Sequence, residues 1–145
     1  MTPPTAAIRR MFWALLIIFL PVSGWAEEVT IYRVKKFTGS ALKPSIYADG
    51  RQVARLQNGC YFTINLLPGH HVFGSTAKGA DLELDIKAGE KHYIEMVILP
   101  GTWRGGGRLV PVSEEDAKAA IKKLKPSDHE FVFAQEPGEP PSAPR

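Results

Sequence analysis

After residue 27 the chain alternates apolar and polar positions with a period of two, and the alternation recurs in short bursts separated by turn residues. In residues 82–87, Leu82, Leu84 and Ile86 face one way while Glu83, Asp85 and Lys87 face the other. In residues 60–66, Cys60, Phe62, Ile64 and Leu66 oppose Tyr61, Thr63 and Asn65. A period of two puts one side of each strand in a core and the other in water. Residues 29–35 (VTIYRVK) and 91–99 (KHYIEMVIL) add two more strands, rich in β-branched and aromatic side chains. Shorter ones are expected at 45–48, 52–56, 71–76 and 109–112.

The punctuation agrees. Asp49-Gly50, Asn58-Gly59 and Pro68-Gly69 mark three chain reversals in quick succession, and Gly89 marks a fourth in Ala88-Gly89-Glu90. Asp-Gly and Asn-Gly favour type I′ hairpin turns, whose two central residues need positive φ. Three reversals so close together leave room only for short antiparallel strands. Residues 37–43 (FTGSALK), ended by Pro44, and 101–108 (GTWRGGGR) are expected to be loops.

The period changes once. Ser113 followed three residues later by Asp116, with Ala117, Ala120, Ile121 and Leu124 at helical spacing, predicts a helix over 113–125. Lys122, Lys123 and Lys125 suit the negative end of its dipole, and Pro126 stops it. Residues 130–134 (EFVFA) are expected to dock as a final edge strand, and the Pro-rich tail 135–145 to be disordered. The fold class that follows is all-β: an antiparallel two-layer sandwich of seven or eight short strands, prealbumin-like, with one appended C-terminal helix.

The first 26 residues carry an address. Arg9 and Arg10 precede an apolar run of 12 residues, 11–22, followed by Ser23-Gly24-Trp25-Ala26 with small residues at the two positions a signal peptidase inspects. Cleavage after Ala26 would leave Glu27 as the new terminus. A membrane-spanning helix needs roughly 20 apolar residues, so an uncleaved inner-membrane anchor is the alternative rather than the first expectation. The paired arginines also fit a twin-arginine signal, but no cofactor site downstream would need cytoplasmic loading. Removal of 26 of the 145 residues leaves 119, one domain's worth, spanning residues 27–134 plus the tail. It also removes Arg9 and Arg10 but no acid, lowering the formal charge from +3 to +1. So small a net charge gives no reason to expect a nucleic-acid partner.

Candidate chemistry is sparse. Cys60 is the single cysteine, so no intramolecular disulfide can form; its place beside Phe62 on an apolar face predicts a buried thiol. His70 and His71 are adjacent and point to opposite faces of a strand, so they cannot share a metal. His92 shares a face with Ile94 and Met96, and His129 lies beyond the helix. No HExxH, paired cysteines or GxSxG occurs, and Ser40 and Ser75 have no visible base. Glu83 and Asp85 are spaced for paired carboxylate work, but a solvated sheet face has the same alternation. The glycine-rich loop stands out. Trp103, the one tryptophan after residue 26, is flanked by Arg104 and Arg108. Such a group can stack on sugars and bind carboxylates or phosphates; equally, Trp103 can fold back over the end of the core.

The succession Phe37-Thr38-Gly39-Ser40, Asp49-Gly50, Asn58-Gly59, Pro68-Gly69-His70 and Ala88-Gly89-Glu90 with Tyr93 resembles the bacterial family called domain of unknown function 2846. The resemblance covers residues 29–112 and is looser to PEGA-type and carboxypeptidase-regulatory-like sandwiches. It implies an exported or envelope-attached β-domain without an established activity. Many members look like lipoproteins; this chain lacks a cysteine at the end of its apolar run. The expectation is therefore a periplasmic or secreted, non-catalytic binding or structural module. Its partner would be an envelope protein or polymer, with no cofactor, no metal and no membrane span after cleavage. Its contact surface is expected at Trp103, Arg104 and Arg108 together with His71 and the neighbouring turn. A glycan- or ligand-binding accessory domain using residues 101–108 is the alternative. A metalloprotein or hydrolase built on His71 and His92 ranks last.

Overall fold

The computed structural model describes residues 25–75, 81–99 and 107–127. Among them the chain forms β1 (Glu27–Tyr32), β2 (Ser45–Ala48), β3 (Arg51–Arg55), β4 (Cys60–Leu66), β5 (Gly69–Ser75), β6 (Leu82–Ile86), β7 (His92–Ile98), β8 (Gly107–Val112), α1 (Glu114–Ile121) and β9 (Lys125–Pro126). Residues 1–24 and 100–106, and the stretches 130–134 and 135–145 expected to be an edge strand and a disordered tail, lie outside the described residues.

Two sheets stack as a sandwich. One has the order β8-β7-β1-β4-β9, the other β3-β2-β5-β6. Pairing is antiparallel except for β1 with β7 and β4 with β9, which run parallel. Parallel neighbours need a long crossover; here the whole second sheet lies between β1 and β7 in sequence. Val29, Ile31, Phe62, Ile64, Ile94 and Met96 from the first sheet pack with Ile46, Val53, Phe73 and Ile86 from the second to form the main core.

β1 is central in its sheet and covered on both sides. Its inner residues Val29 and Ile31 are in the main core, and Tyr32 on the other face joins Tyr93 and Ala117 in a second cluster under α1. That explains a run of four buried residues where simple alternation would leave every second one in water.

The helix begins as expected, with the Ser113 side chain accepting from the Asp116 amide, but it ends at Ile121, short of 125. Lys122 caps it, and Leu124 turns into the cluster of Tyr32, Val34 and Tyr61. The early exit frees two amides for β4: Lys125 donates to Gly59 O at 3.0 Å and Ser127 to Tyr61 O at 2.8 Å. Backbone pairing at a sheet edge thus outcompetes another helical turn.

Only one of the three early turns closes a hairpin. Asp49 and Gly50 have φ of 50° and 77°, the type I′ pattern, and join β2 to β3. Asn58-Gly59 is not type I′, because only Gly59 of the pair has positive φ. It and Pro68-Gly69 carry the chain from one sheet to the other. Two further expectations are corrected. Cys60 is half-buried at the edge of the core rather than enclosed. Gly107 and Arg108 are not loop residues but open β8, opposite Ile98 and Val97.

Candidate functional site

Successive connections alternate between the two ends of the sandwich, and charge follows them. At one end lie the β1–β2 connection, the β3–β4 turn, the start of β8 and the exit from α1. Exposed there are Lys35, Lys36 and Lys43 on the first connection and Lys122, Lys123 and Lys125 after the helix. Arg55 and Arg108 add to them from β3 and β8. Among the described residues, Asp81 and the half-buried Glu95 are the acids placed near this end. The other end holds Glu27, Glu28, Asp49, Asp85 and Glu90, with Glu114, Glu115 and Asp116 in the first turn of α1, against the basic Arg51, Lys87 and Lys91. The described residues are therefore basic at one end and acidic on balance at the other.

The basic end is built around Arg33. This side chain is 2% exposed, and its forked guanidinium donates to Leu42 O at 2.7 Å and Gly39 O at 2.6 Å. Burial pulls the guanidinium below its ordinary pKa. One planar donor pair thereby pins both sides of the loop after β1. Asn58 clamps the same loop from the β3–β4 turn: its Oδ1 accepts from Lys36 N at 3.0 Å and its Nδ2 donates to Lys36 O at 2.7 Å. Held between these anchors, Phe37 is 97% exposed. Leu99, at the end of β7, is 41% exposed.

Two shallow clefts adjoin the loop and share Val34. The larger, about 490 Å³, lies between Val34 and the helix exit, with Ala120 and Leu124 on its apolar side and Lys35 and Lys123 at its lip. The smaller, about 210 Å³, is bordered by Arg33, Lys36, Thr38, Glu95 and Ile98.

The structure separates the residues expected to act together. Trp103 and Arg104 lie outside the described residues. Arg108 is exposed at the basic end. His71 belongs to the opposite end and is 6% exposed, with Nδ1 2.7 Å from Asp49 Oδ2 and Nε2 2.8 Å from Leu67 O. This corrects its placement on a contact surface: the ring is an interior tie between a turn and β5. Ser75, hydrogen-bonded to Gly107 O, fixes the start of β8 beside the far end of β5. Four residues of strand, roughly 13 Å, separate that point from His71.

The other reactive candidates are also engaged. His70 sits on the exposed face of its sheet, 2.9 Å from Asp85 Oδ1 and 3.9 Å from Glu83 Oε2. The hydrogen bond to Asp85 raises its pKa. His92 Nε2 accepts from Lys87 N at 3.4 Å. Among the described residues no three His, Cys, Asp or Glu side chains converge on a point where a metal ion could sit, and no helix is long and apolar enough to cross a membrane.

Sequence reasoning missed Arg33 and Phe37. The available signal was Lys35-Lys36-Phe37 itself, an aromatic after two lysines leading out of a strand.

Residues 23–107 match the family described as "Protein of unknown function (DUF2846)". The chain belongs to this family. The matched stretch takes in β1 to β7 and stops as β8 begins, so Arg33, Phe37 and Asn58 lie inside it and the lysines after α1 lie beyond it. An uncharacterized protein of Haemophilus influenzae (strain Rd) is 32% identical over 96 residues, which is 65% of this chain and 56% of that protein. The aligned part thus spans about half the length of the curated relative. No solved structure matches the chain.

Proposed function

We propose that this family member is an exported, non-catalytic module of the bacterial cell envelope that works by surface contact. The observation that carries this reading is the basic end, where a fully exposed Phe37 is held on a loop pinned by the buried Arg33. An ordered loop that displays an aromatic to solvent favours contact with something larger than a metabolite. The engagement of His71 by Asp49 and Leu67, and of Ser75 by Gly107, supports the same reading, since these side chains are committed to holding backbone. The export part rests on the leader, with Glu27 as the mature terminus.

A glycan- or ligand-binding role for residues 101–108 is the second reading. It is favoured by the exposure of Arg108 beside the basic loop.

Fractionation of producing cells, with intact-mass analysis, tests the proposal. Recovery from the periplasm or medium starting at Glu27 is expected. Full-length chain in the membrane would favour the uncleaved anchor, and recovery from the cytoplasm would overturn the reading.

A further inference from the structure

We infer that the basic end is a docking surface for an anionic phospholipid bilayer, with Phe37 entering the headgroup region. The inference rests on the envelope reading above and deepens it by naming the partner.

Three observations carry it. First, the charge is segregated rather than merely present. Lys35, Lys36 and Lys43 share one loop, and Lys122, Lys123 and Lys125 reach the same end from the helix exit. The acidic first turn of α1 lies at the opposite end. Such a molecule presents one end to a negative surface and turns the other away from it. Second, that end exposes apolar groups, Phe37 and Leu99. Phe37 is 97% exposed and directly follows two lysines. An aromatic flanked by lysines suits the bilayer interface, where the ring meets acyl chains while the ammonium groups stay among phosphates. Third, the loop is preordered. The bonds from Arg33 to Gly39 and Leu42, and the paired bonds between Asn58 and Lys36, hold the loop on both sides of Phe37. Little ordering is left to do on contact.

The test uses the exported form of the chain, starting at Glu27 and carrying Cys60→Ser and Thr38→Cys, labelled at position 38 with an environment-sensitive fluorophore. It is mixed with vesicles of phosphatidylglycerol and phosphatidylcholine, or of phosphatidylcholine alone. Without residues 1–26 the apolar run 11–22 cannot itself enter the vesicles, so the response reports the folded domain. The label should move into an apolar environment on the mixed vesicles and stay in water on the neutral ones. The response should fade as salt rises from about 0.1 M to about 1 M, where the Debye length falls from about 10 Å to about 3 Å.

In the chain without the label, Lys35→Glu with Lys36→Glu should weaken binding to mixed vesicles by at least about thirtyfold, since each basic residue lost near the surface is worth about fivefold and the two new carboxylates add repulsion. Lys87→Glu with Lys91→Glu makes the same charge change at the acidic end and should leave binding within about twofold. Phe37→Ser should weaken binding while leaving the thermal midpoint in place. A label at position 38 that stays in water on bound vesicles, an equal response to neutral lipid, or an equal loss from both lysine pairs would each overturn the inference. So would tighter binding of a nucleic-acid oligomer than of the mixed vesicles. Failure here with the chain still exported removes the lipid partner alone, whereas cytoplasmic recovery removes the envelope reading as well.

Discussion

Asp49 and His71, 22 residues apart, meet through a 2.7 Å hydrogen bond that locks the β2–β3 turn onto β5. The second carboxylate oxygen of Asp49 accepts from Val72 N at 3.0 Å, and its amide donates to Val72 O at 2.8 Å. Asp49 thus serves a buried imidazole and an edge of backbone while itself holding positive φ. Asp49→Ala removes the side-chain acceptor from His71 Nδ1 and Val72 N and should cost about 1–3 kcal/mol. Asp49→Asn, which tolerates that φ and keeps an acceptor, should cost less. Urea midpoints of the two variants give the order, and equal midpoints would show that the tie to His71 contributes nothing.

Gly107 is the one glycine of the 105–107 run that the structure describes, and it is there for space. A Cβ at this position would lie 2.5 Å from Met96 Cε and 2.9 Å from Val97 O. Gly107→Ala should destabilise by about 1–3 kcal/mol through overpacking. Truncating Met96 in the same chain should recover only part of that, because the Val97 carbonyl cannot move aside. Full recovery in a double-variant cycle would mean that Met96 alone sets the fit.

Arg33→Met keeps an apolar stem but deprives the Gly39 and Leu42 carbonyls of their donors. A loss of about 1–3 kcal/mol is expected, with faster proteolytic cleavage within residues 36–43. Arg33→Lys should rescue incompletely, since one ammonium cannot reproduce the planar fork. Unchanged cleavage in Arg33→Met would remove its role in holding Phe37.

Two groups make stability fall as pH rises, in two separate ranges. Burial first, then the charges of Glu95 and Asp116, push the Tyr32 phenol up to about 12 from 10.0. The folded state therefore holds its proton more tightly, so this contribution is complete below pH 10 and is lost as pH rises toward 12. Ultraviolet titration should show one tyrosine ionising late, and Tyr32→Phe should abolish that step. The His70 pKa is raised chiefly by its hydrogen bond to Asp85. Its contribution is complete below about 6.5, the unfolded value, and fades as pH climbs through the folded value. His70→Gln should flatten the stability profile in that range; an unaltered slope would mean that the exposed pair is decoupled from folding.

Much of the fold was legible in order of residues alone. Period-two alternation placed β4 and β6 to within a residue, and Asp49-Gly50 announced its own turn type, because side-chain direction and φ are local properties. The Ser113 cap marked the helix start for the same reason. Turn residues were also enough to point to the family. Local rules do not say which strands become neighbours. The parallel pairing of β1 with β7 depends on contacts more than 60 residues apart, and it makes β1 a central strand, with the second sheet packed on one face and α1 on the other. Asn58-Gly59 and Pro68-Gly69 signal reversals truly, but only packing decides that each reversal changes sheets. The helix stops early because β4 offers Lys125 and Ser127 backbone partners that are distant in sequence. The site shows the same division. Lysines at 35–36 and 122–125 look like ordinary solvated residues along the chain, and His71 looks like a neighbour of Arg108. Closure of the sandwich brings the lysines to one end and sends His71 to the other, since alternating connections sort residues by strand direction and not by distance along the chain.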